Sequence, residues 1–283
     1  MSGFWRIDAA KTKVAVRATL TAVKQSLILG QLPQLKVALR VRSSQSGMSE
    51  YAGYILAEWQ NYHAQPERFQ ASLAVASGKE ISRVLDVGCG AGQELLPFVQ
   101  GLGVRGAGVD ISPEAVEIAR RQFANEGCDG RVEFYCSPAE TLPFTNNTFE
   151  VVMCRLALPY VGNAQALSEM ARVLRPGGLL ILKIHHLRYY SRRLWAALRR
   201  AEIRNAASIA RIIISGTVYH LTGSQPKRGL KPREVFQTRW MLNRIFARLG
   251  LEVRGELQNS DSNARTPVLL IEKVTSAGML RSL

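Results

Sequence analysis

From Arg83 onward, short apolar runs alternate with amphipathic stretches, and that rhythm predicts βαβ units around a parallel sheet. The predicted strands run from Arg83 to Val87, Arg105 to Asp110, Val132 to Cys136, Val151 to Arg155 and Leu179 to Ile184. Helices are expected between them, from Gln93 to Gln100, Pro113 to Glu126 and Ala164 to Leu174. After a further helix from Glu234 to Leu249, Leu251 to Leu257 and Pro267 to Val274 read as a final antiparallel pair. Seven strands result, interrupted once.

The interruption, from His185 to Lys231, is too long for a plain connection and is expected to be structured. At about 100° per residue, Leu187, Leu194, Trp195, Leu198, Ile209, Ile212 and Ile213 fall in a sector about 100° wide. Arg188, Arg192, Arg193, Arg199, Arg200, Arg204 and Arg211 fall outside it. A single amphipathic helix over Leu187 to Ser215, stopped by Gly216, is the economical expectation. Upstream, Tyr51 to Ala76 reads as helical, with Tyr51, Ile55, Trp59 and Tyr62 on one face and Pro66 as a break. Residues 1–47 carry apolar positions such as Val14, Leu20, Leu27 and Leu35 without a clean period, and close on the linker-like Ser43-Ser44-Gln45-Ser46-Gly47. Five segments follow: a basic leader (1–47), a helical cap (48–82), a cofactor-binding core (83–184), a helical insertion (185–231) and a C-terminal completion of the core (232–283).

The length of 283 residues suits one large α/β domain with an insertion better than two independent cores. The net charge of +15 is unevenly spread. Residues 1–50 carry +6, residues 51–180 carry −4 and residues 181–283 carry +13, so a mildly acidic core lies between two basic flanks. Cys89, Cys128, Cys136 and Cys154 have no metal-type spacing, which argues against a disulfide framework or a zinc site and for a reducing, cytoplasmic setting. No apolar run approaches the roughly 20 residues that span a bilayer. Leu27-Ile28-Leu29 is too short for a signal-peptide core, while the basic start leaves an organellar transit peptide open.

Val84 to Gln93 is an apolar strand entering a glycine-rich turn and then a helix. Glycines suit a turn of unusual φ and let the backbone approach a ligand, and the helix start offers unpaired N–H groups. Asp110, 18 residues beyond Gly92 at the next strand end, can accept both hydroxyl hydrogens of a ribose. These features alone also suit a nicotinamide enzyme.

Five motifs occur in order: Asp86 to Gly92; Val109-Asp110-Ile111-Ser112; Ala139-Glu140-Thr141-Leu142-Pro143-Phe144; Phe149-Glu150-Val151-Val152; and Arg172-Val173-Leu174-Arg175-Pro176-Gly177-Gly178. Together they resemble the class I S-adenosylmethionine-dependent methyltransferases of the small-molecule type, which include the quinone-biosynthesis enzymes. The resemblance covers roughly residues 83–184 and implies a Rossmann-like sheet with S-adenosylmethionine as cofactor. It implies that Asp86, Gly88, Cys89, Gly90 and Gly92 form the loop against the methionine part, and that Asp110 holds the ribose. Ile111 would pack on adenine, Ala139 and Glu140 would edge it, and the backbone near Arg155 would face the methionine. Two positions depart from the pattern: Pro138 stands where relatives often carry Asp, and Glu150 follows Phe149 where Asp is usual. Pro138 can offer adenine neither a carboxylate nor an N–H.

Methyl transfer from a sulfonium is a direct displacement, so alignment and proton removal are what a protein supplies; no metal is required. Tyr160, His185 and His186 stand at the ends of the fourth and fifth strands as candidate bases. Adjacent histidines on an extended chain point to opposite sides, so at most one faces a cavity. The expected acceptor is small and apolar or amphipathic, methylated at oxygen, carbon or nitrogen. The basic insertion has three readings: a lid over the acceptor cavity, an element on an anionic membrane surface, or a nucleic-acid contact. The lid is favoured by its position after the fifth strand. RNA is disfavoured because Ala157-Leu158-Pro159-Tyr160 replaces the N-P-P-[YF] tetrad of base-amine methylases. An RNA methyltransferase, and a non-catalytic cofactor-binding or membrane-associated adaptor, are the competing functions. Sequence does not specify the oligomer.

Overall fold

The computed structural model describes residues 49–64, 70–76, 78–229, 231–257 and 265–274. The basic leader, its linker and Pro66 lie outside these. Helices α1 (Glu50–Ala64) and α2 (Gln70–Ala76) precede the sheet. Alternation then follows: β1 (Arg83–Val87), α3 (Leu96–Leu102), β2 (Arg105–Asp110), α4 (Pro113–Asn125), β3 (Val132–Cys136), β4 (Phe149–Arg155), α5 (Asn163–Val173) and β5 (Leu174–Lys183). The insertion holds α6 (Leu187–Arg199), α7 (Ile203–Thr222) and the two-residue strands β6 (Lys227–Arg228) and β7 (Lys231–Pro232). Helix α8 (Arg239–Leu249) leads to β8 (Leu251–Glu256) and β9 (Val268–Lys273).

Seven strands form one sheet in the order β3-β2-β1-β4-β5-β9-β8, parallel through β5, with β9 antiparallel to both β5 and β8. Successive residues serve opposite faces. Leu85, Val87, Val152, Cys154, Leu180 and Leu182 join one core with α5 and α8, whereas Val84, Val151, Met153, Leu179 and Ile181 join the other with α1, α3 and α4. Both faces are therefore apolar, as a sheet sandwiched between helix layers requires.

Local chemistry sets several boundaries. Ser112 accepts a hydrogen bond from the Ala115 N–H, and Pro113 occupies the first turn, starting α4. Thr238 caps α8 through the Met241 N–H, so this helix begins at Arg239 and not at Glu234. The four residues before the cap are held extended by Val235 N–H to the Pro159 carbonyl and Gln237 N–H to the His185 carbonyl. Glu150 accepts from the backbone N–H groups of Ser82 and Arg83 and pairs with Arg175, tying the starts of β4 and β1 together away from the glycine turn.

The expected single helix over the insertion is two helices. Ala201 sits in the left-handed region at φ 55°, and the Glu202 N–H reaches back to the Ala197 carbonyl, closing α6 in the manner normally given to glycine. This break resets the helical phase, so the expected stripe divides. Tyr190, Ala197, Ala206, Ile209 and Phe236 form a small buried core, with Leu194, Ile212 and Ile213 partly buried against it, while Leu187, Trp195 and Leu198 are exposed. Gly216 does not stop the helix, which continues to Thr222 and ends at Gly223 with φ 69°. A Cβ on Gly216 would lie 2.3 Å from Phe236 Cδ1, so the glycine serves close packing.

Candidate cofactor and acceptor site

The turn after β1 is shaped by three left-handed glycines: Gly88 (φ 76°), Gly90 (φ 53°) and Gly92 (φ 83°). Each is also crowded. A Cβ would lie 2.3 Å from Ala157 Cβ at Gly88, 3.2 Å from Ile55 Cγ2 at Gly90 and 2.7 Å from Phe123 Cε2 at Gly92. The expectation that Gly90 keeps space for a ligand gains a second cause, because α1 itself lies over it. Backbone bonds from Gly88 and Cys89 to the Val109 carbonyl, at 2.7 and 3.0 Å, tie the turn to β2. Cys89 is buried, and desolvation holds its thiol well above the ordinary range, so it fills the turn as a neutral side chain.

A narrow cleft opens at this turn. Its lining brings together Asp86, Gly88, Cys89 and Arg155, and adds Tyr54, Glu58, Gln93, Glu94 and Lys183. Arg155 and Glu94 form a buried ion pair at 2.8 Å. Asp86 is buried beside them, its Oδ2 without a hydrogen-bond partner, and Gln93 Oε1 is likewise a buried acceptor without one. Burial chiefly, then Glu94, raises the Asp86 carboxyl well above its usual value, and Arg155 opposes the shift. One cleft thus offers unused acceptors suited to an ammonium group and basic side chains suited to a carboxylate. A zwitterionic amino-acid end needs both.

The adenosine-side candidates do not line this cleft. Asp110 is buried and engaged: its Oδ1 accepts from Ser112 N–H at 2.9 Å, and its Oδ2 accepts from Gly90 N–H and from the Tyr51 hydroxyl, both at 3.0 Å. Ile111 beside it is 71% exposed, an apolar surface open to a ring. Glu140 Oε1 accepts from Gly162 N–H at 2.6 Å, anchoring the start of α5, and Ala139 is buried.

The candidate bases separate. His186 accepts from the Arg188 N–H and caps α6. His185 turns inward, stacked on Tyr189 with centroids 4.0 Å apart, and its Nδ1 lies 3.2 Å from the Tyr190 hydroxyl. That hydroxyl donates to Glu234 Oε1 at 2.8 Å. Burial, with Lys183 and Arg193 adding repulsion, pushes His185 down to about 4. Burial raises Glu234, and Tyr160 is raised by burial and then by Glu234, with Tyr189 and Tyr54 also acting on it. Tyr54, which also acts on Tyr160, lines the cleft at the glycine turn. Sequence reasoning missed Tyr190, Glu234, Glu94 and Tyr51, which meet the site only through the fold. Among the described residues, no group of three His, Cys, Asp or Glu side chains could hold a metal ion.

Residues 84–178 match the model of a methyltransferase domain. The match spans about a third of the chain. A sterol 4-C-methyltransferase of Caenorhabditis elegans is 31% identical over 136 residues, 43% of this chain and 40% of that protein. A ubiquinone/menaquinone biosynthesis C-methyltransferase of Francisella philomiragia is 34% identical over 114 residues, 39% of this chain and 46% of that protein. The alignments thus span less than half the length of these relatives. In fold, an S-adenosylmethionine-dependent methyltransferase of Aquifex aeolicus superposes with a TM-score of 0.52 at 17% identity, covering 79% of this chain and 98% of that one.

Proposed function

We propose that this protein transfers a methyl group from S-adenosylmethionine to a small, apolar or amphipathic acceptor, with His185 receiving the proton the acceptor loses. The observation that carries this reading is the position of two chemistries at one strand end. Lys183 lines the cleft rich in unused acceptors, and two residues later His185 heads a hydrogen-bonded line to Tyr190 and Glu234.

In this reading Asp86 and Gln93 receive the ammonium of the cofactor, Arg155 and Lys183 face its carboxylate, and Asp110 takes the ribose. Ile111 offers its exposed side chain to the adenine, while Ala139 and Glu140 support that edge. The bound cofactor supplies a methyl group on a positively charged sulfur, which needs only an aligned nucleophile. His185 is neutral across the physiological range, so a ring lone pair is available. With Tyr190 donating to Glu234, its oxygen accepts from Nδ1–H, which leaves Nε2 as the basic atom. Glu234 and Tyr190 are positioning residues that fix this tautomer. Tyr160, half-exposed, and Tyr189 offer aromatic surface to an apolar acceptor. The hairpin of α6 and α7 covers this side as a lid through its inward residues. The names of the sterol and quinone relatives favour the same class of acceptor.

Calorimetry with S-adenosylhomocysteine, followed by transfer assays on sterol and isoprenoid-quinone precursors, tests the reading. His185→Gln should cut kcat by about 10²–10⁴, the range for a positioned base, with cofactor affinity unchanged. Glu234→Gln should have a smaller effect and shift the pH profile. An unchanged kcat in His185→Gln would remove His185 from the chemistry. Absence of cofactor binding to the unaltered protein would remove the function.

A further inference from the structure

Helices α6 and α7 each bury one face and present a second apolar face outward. On α7, Ile203, Ala207, Ile214, Val218 and Leu221 are all exposed, and at 100° per residue they fall within about 60° of one another. Leu221 is 80% and Ile203 70% exposed. This row extends for about 27 Å at 1.5 Å per residue. Arg211 and Arg204 come next around the helix, about 20° and 40° beyond the row. On α6, the exposed Leu187, Leu198 and Trp195 lie within about 80°, and Arg188, Arg199 and Arg192 follow in the next 60° or so. The hydrogen bond from Ala201 N–H to the Leu198 carbonyl draws the ends of both rows to one tight turn.

We propose that the outward face of this hairpin docks on the surface of an anionic lipid bilayer, its apolar rows entering the boundary between headgroups and acyl chains. Charge selects this occupant. Residues 187–222 contain seven arginines and a single acidic residue, Glu202. A second copy would set two such basic faces against each other, and the chain's own first 50 residues carry +6, so neither is a complement. An RNA would satisfy the arginines and leave the long aliphatic row on α7 in water. A bilayer with anionic headgroups satisfies both rows at once. Among the described residues no helix is long and apolar enough to cross a membrane, so contact is along the surface.

The test is co-sedimentation of the full chain with phosphatidylglycerol-containing and with pure phosphatidylcholine vesicles. It reads binding alone and is independent of methyl transfer. Binding is expected only to the anionic vesicles, weakened by salt. Neutralising Arg192, Arg199 and Arg204 to Gln should lower partition about a hundredfold, at about fivefold per charge. Trp195→Ser with Leu221→Ser should also release the protein, while all variants keep the thermal midpoint of the unaltered protein because these side chains are exposed. No sedimentation overturns the proposal. Loss on arginine removal with retention in the serine variant overturns it in favour of a polyanion such as RNA. Self-association that the serine variant abolishes, without vesicles, overturns it in favour of a second copy.

Discussion

The glycine turn between β1 and α3 and the hairpin between β5 and α8 follow strands separated in the sheet by β4, and they are built on opposite principles. At the turn, three residues are held to glycine by positive φ, and at Gly88 and Gly92 also by atoms already in the place of a Cβ. In the hairpin, a left-handed position is filled by Ala201, and a helical position that sequence marks as a stop, Gly216, continues the helix. The turn specifies itself locally. The hairpin is specified by what packs against it, chiefly Phe236 from the segment beyond.

Replacing Gly88 should produce the largest effect and break the comparison if it fails. Gly88→Ala adds left-handed strain of about 1–2 kcal/mol and an overpacking cost of about 1–3 kcal/mol against Ala157. Gly127→Ala has a similar φ of 65° and nothing within 4 Å, so it carries the strain alone. Thermal unfolding should therefore fall further for Gly88→Ala than for Gly127→Ala, and only the former should weaken cofactor binding. Equal losses would mean that crowding at the turn contributes nothing.

The same contrast explains what could be read in advance. The strand positions and the glycine turn were legible because short continuous apolar runs and left-handed turns each demand particular residues in a fixed order. Asp86, Gly88, Cys89 and Arg155, which the motif resemblance implied, do meet in one cleft. Tyr190 and Glu234 were not, because 44 residues separate them and only the return of the chain after α7 brings them to 2.8 Å. The insertion was misread at Arg200-Ala201-Glu202 because nothing in alanine announces a left-handed turn, so two helices were given one phase. Tyr51 was read as sharing a face with Ile55, Trp59 and Tyr62; it is exposed where they are buried, and its bond to Asp110 depends on how that helix lies across the turn.

The two regions should also respond to pH with opposite signs. Asp86 is raised above its ordinary 3.8, so the folded protein holds that proton to higher pH than the unfolded chain. Its contribution is fully present below the unfolded value and is lost as pH rises through the folded one. His185, lowered from 6.5 to about 4, contributes stability above 6.5 that is lost as pH falls toward 4. Asp86→Asn should then raise the thermal midpoint of the cofactor-free protein at neutral pH, by about 2–4 °C for each kcal/mol, and lose that advantage near pH 4. His185→Gln should instead flatten the acid limb. Asp86→Asn should also weaken the cofactor by about 1–3 kcal/mol, the scale for hydrogen bonds to a charged acceptor. A lower midpoint for Asp86→Asn at neutral pH would mean that its carboxylate is already satisfied in the fold.

The smallest expected effect sharpens the account of the turn. Asp110 carries two bonds from the backbone of its own neighbourhood and one from Tyr51, and the last is the exchangeable one because it comes from α1. A ribose hydroxyl arriving at Asp110 Oδ2 would replace a bond the protein already makes. Tyr51→Phe deletes that competing donor while keeping the ring, so it should strengthen S-adenosylhomocysteine binding by about 0.5–1.5 kcal/mol, up to roughly tenfold in Kd. Asp110→Ala removes the acceptor and the anchor of Gly90 together, and should weaken binding whatever Tyr51 does. If the two positions are coupled through one bond, Tyr51→Phe should have no effect on affinity in the Asp110→Ala background. Weaker binding in Tyr51→Phe alone would show instead that the hydroxyl stays on Asp110 and helps hold α1 closed over a bound cofactor.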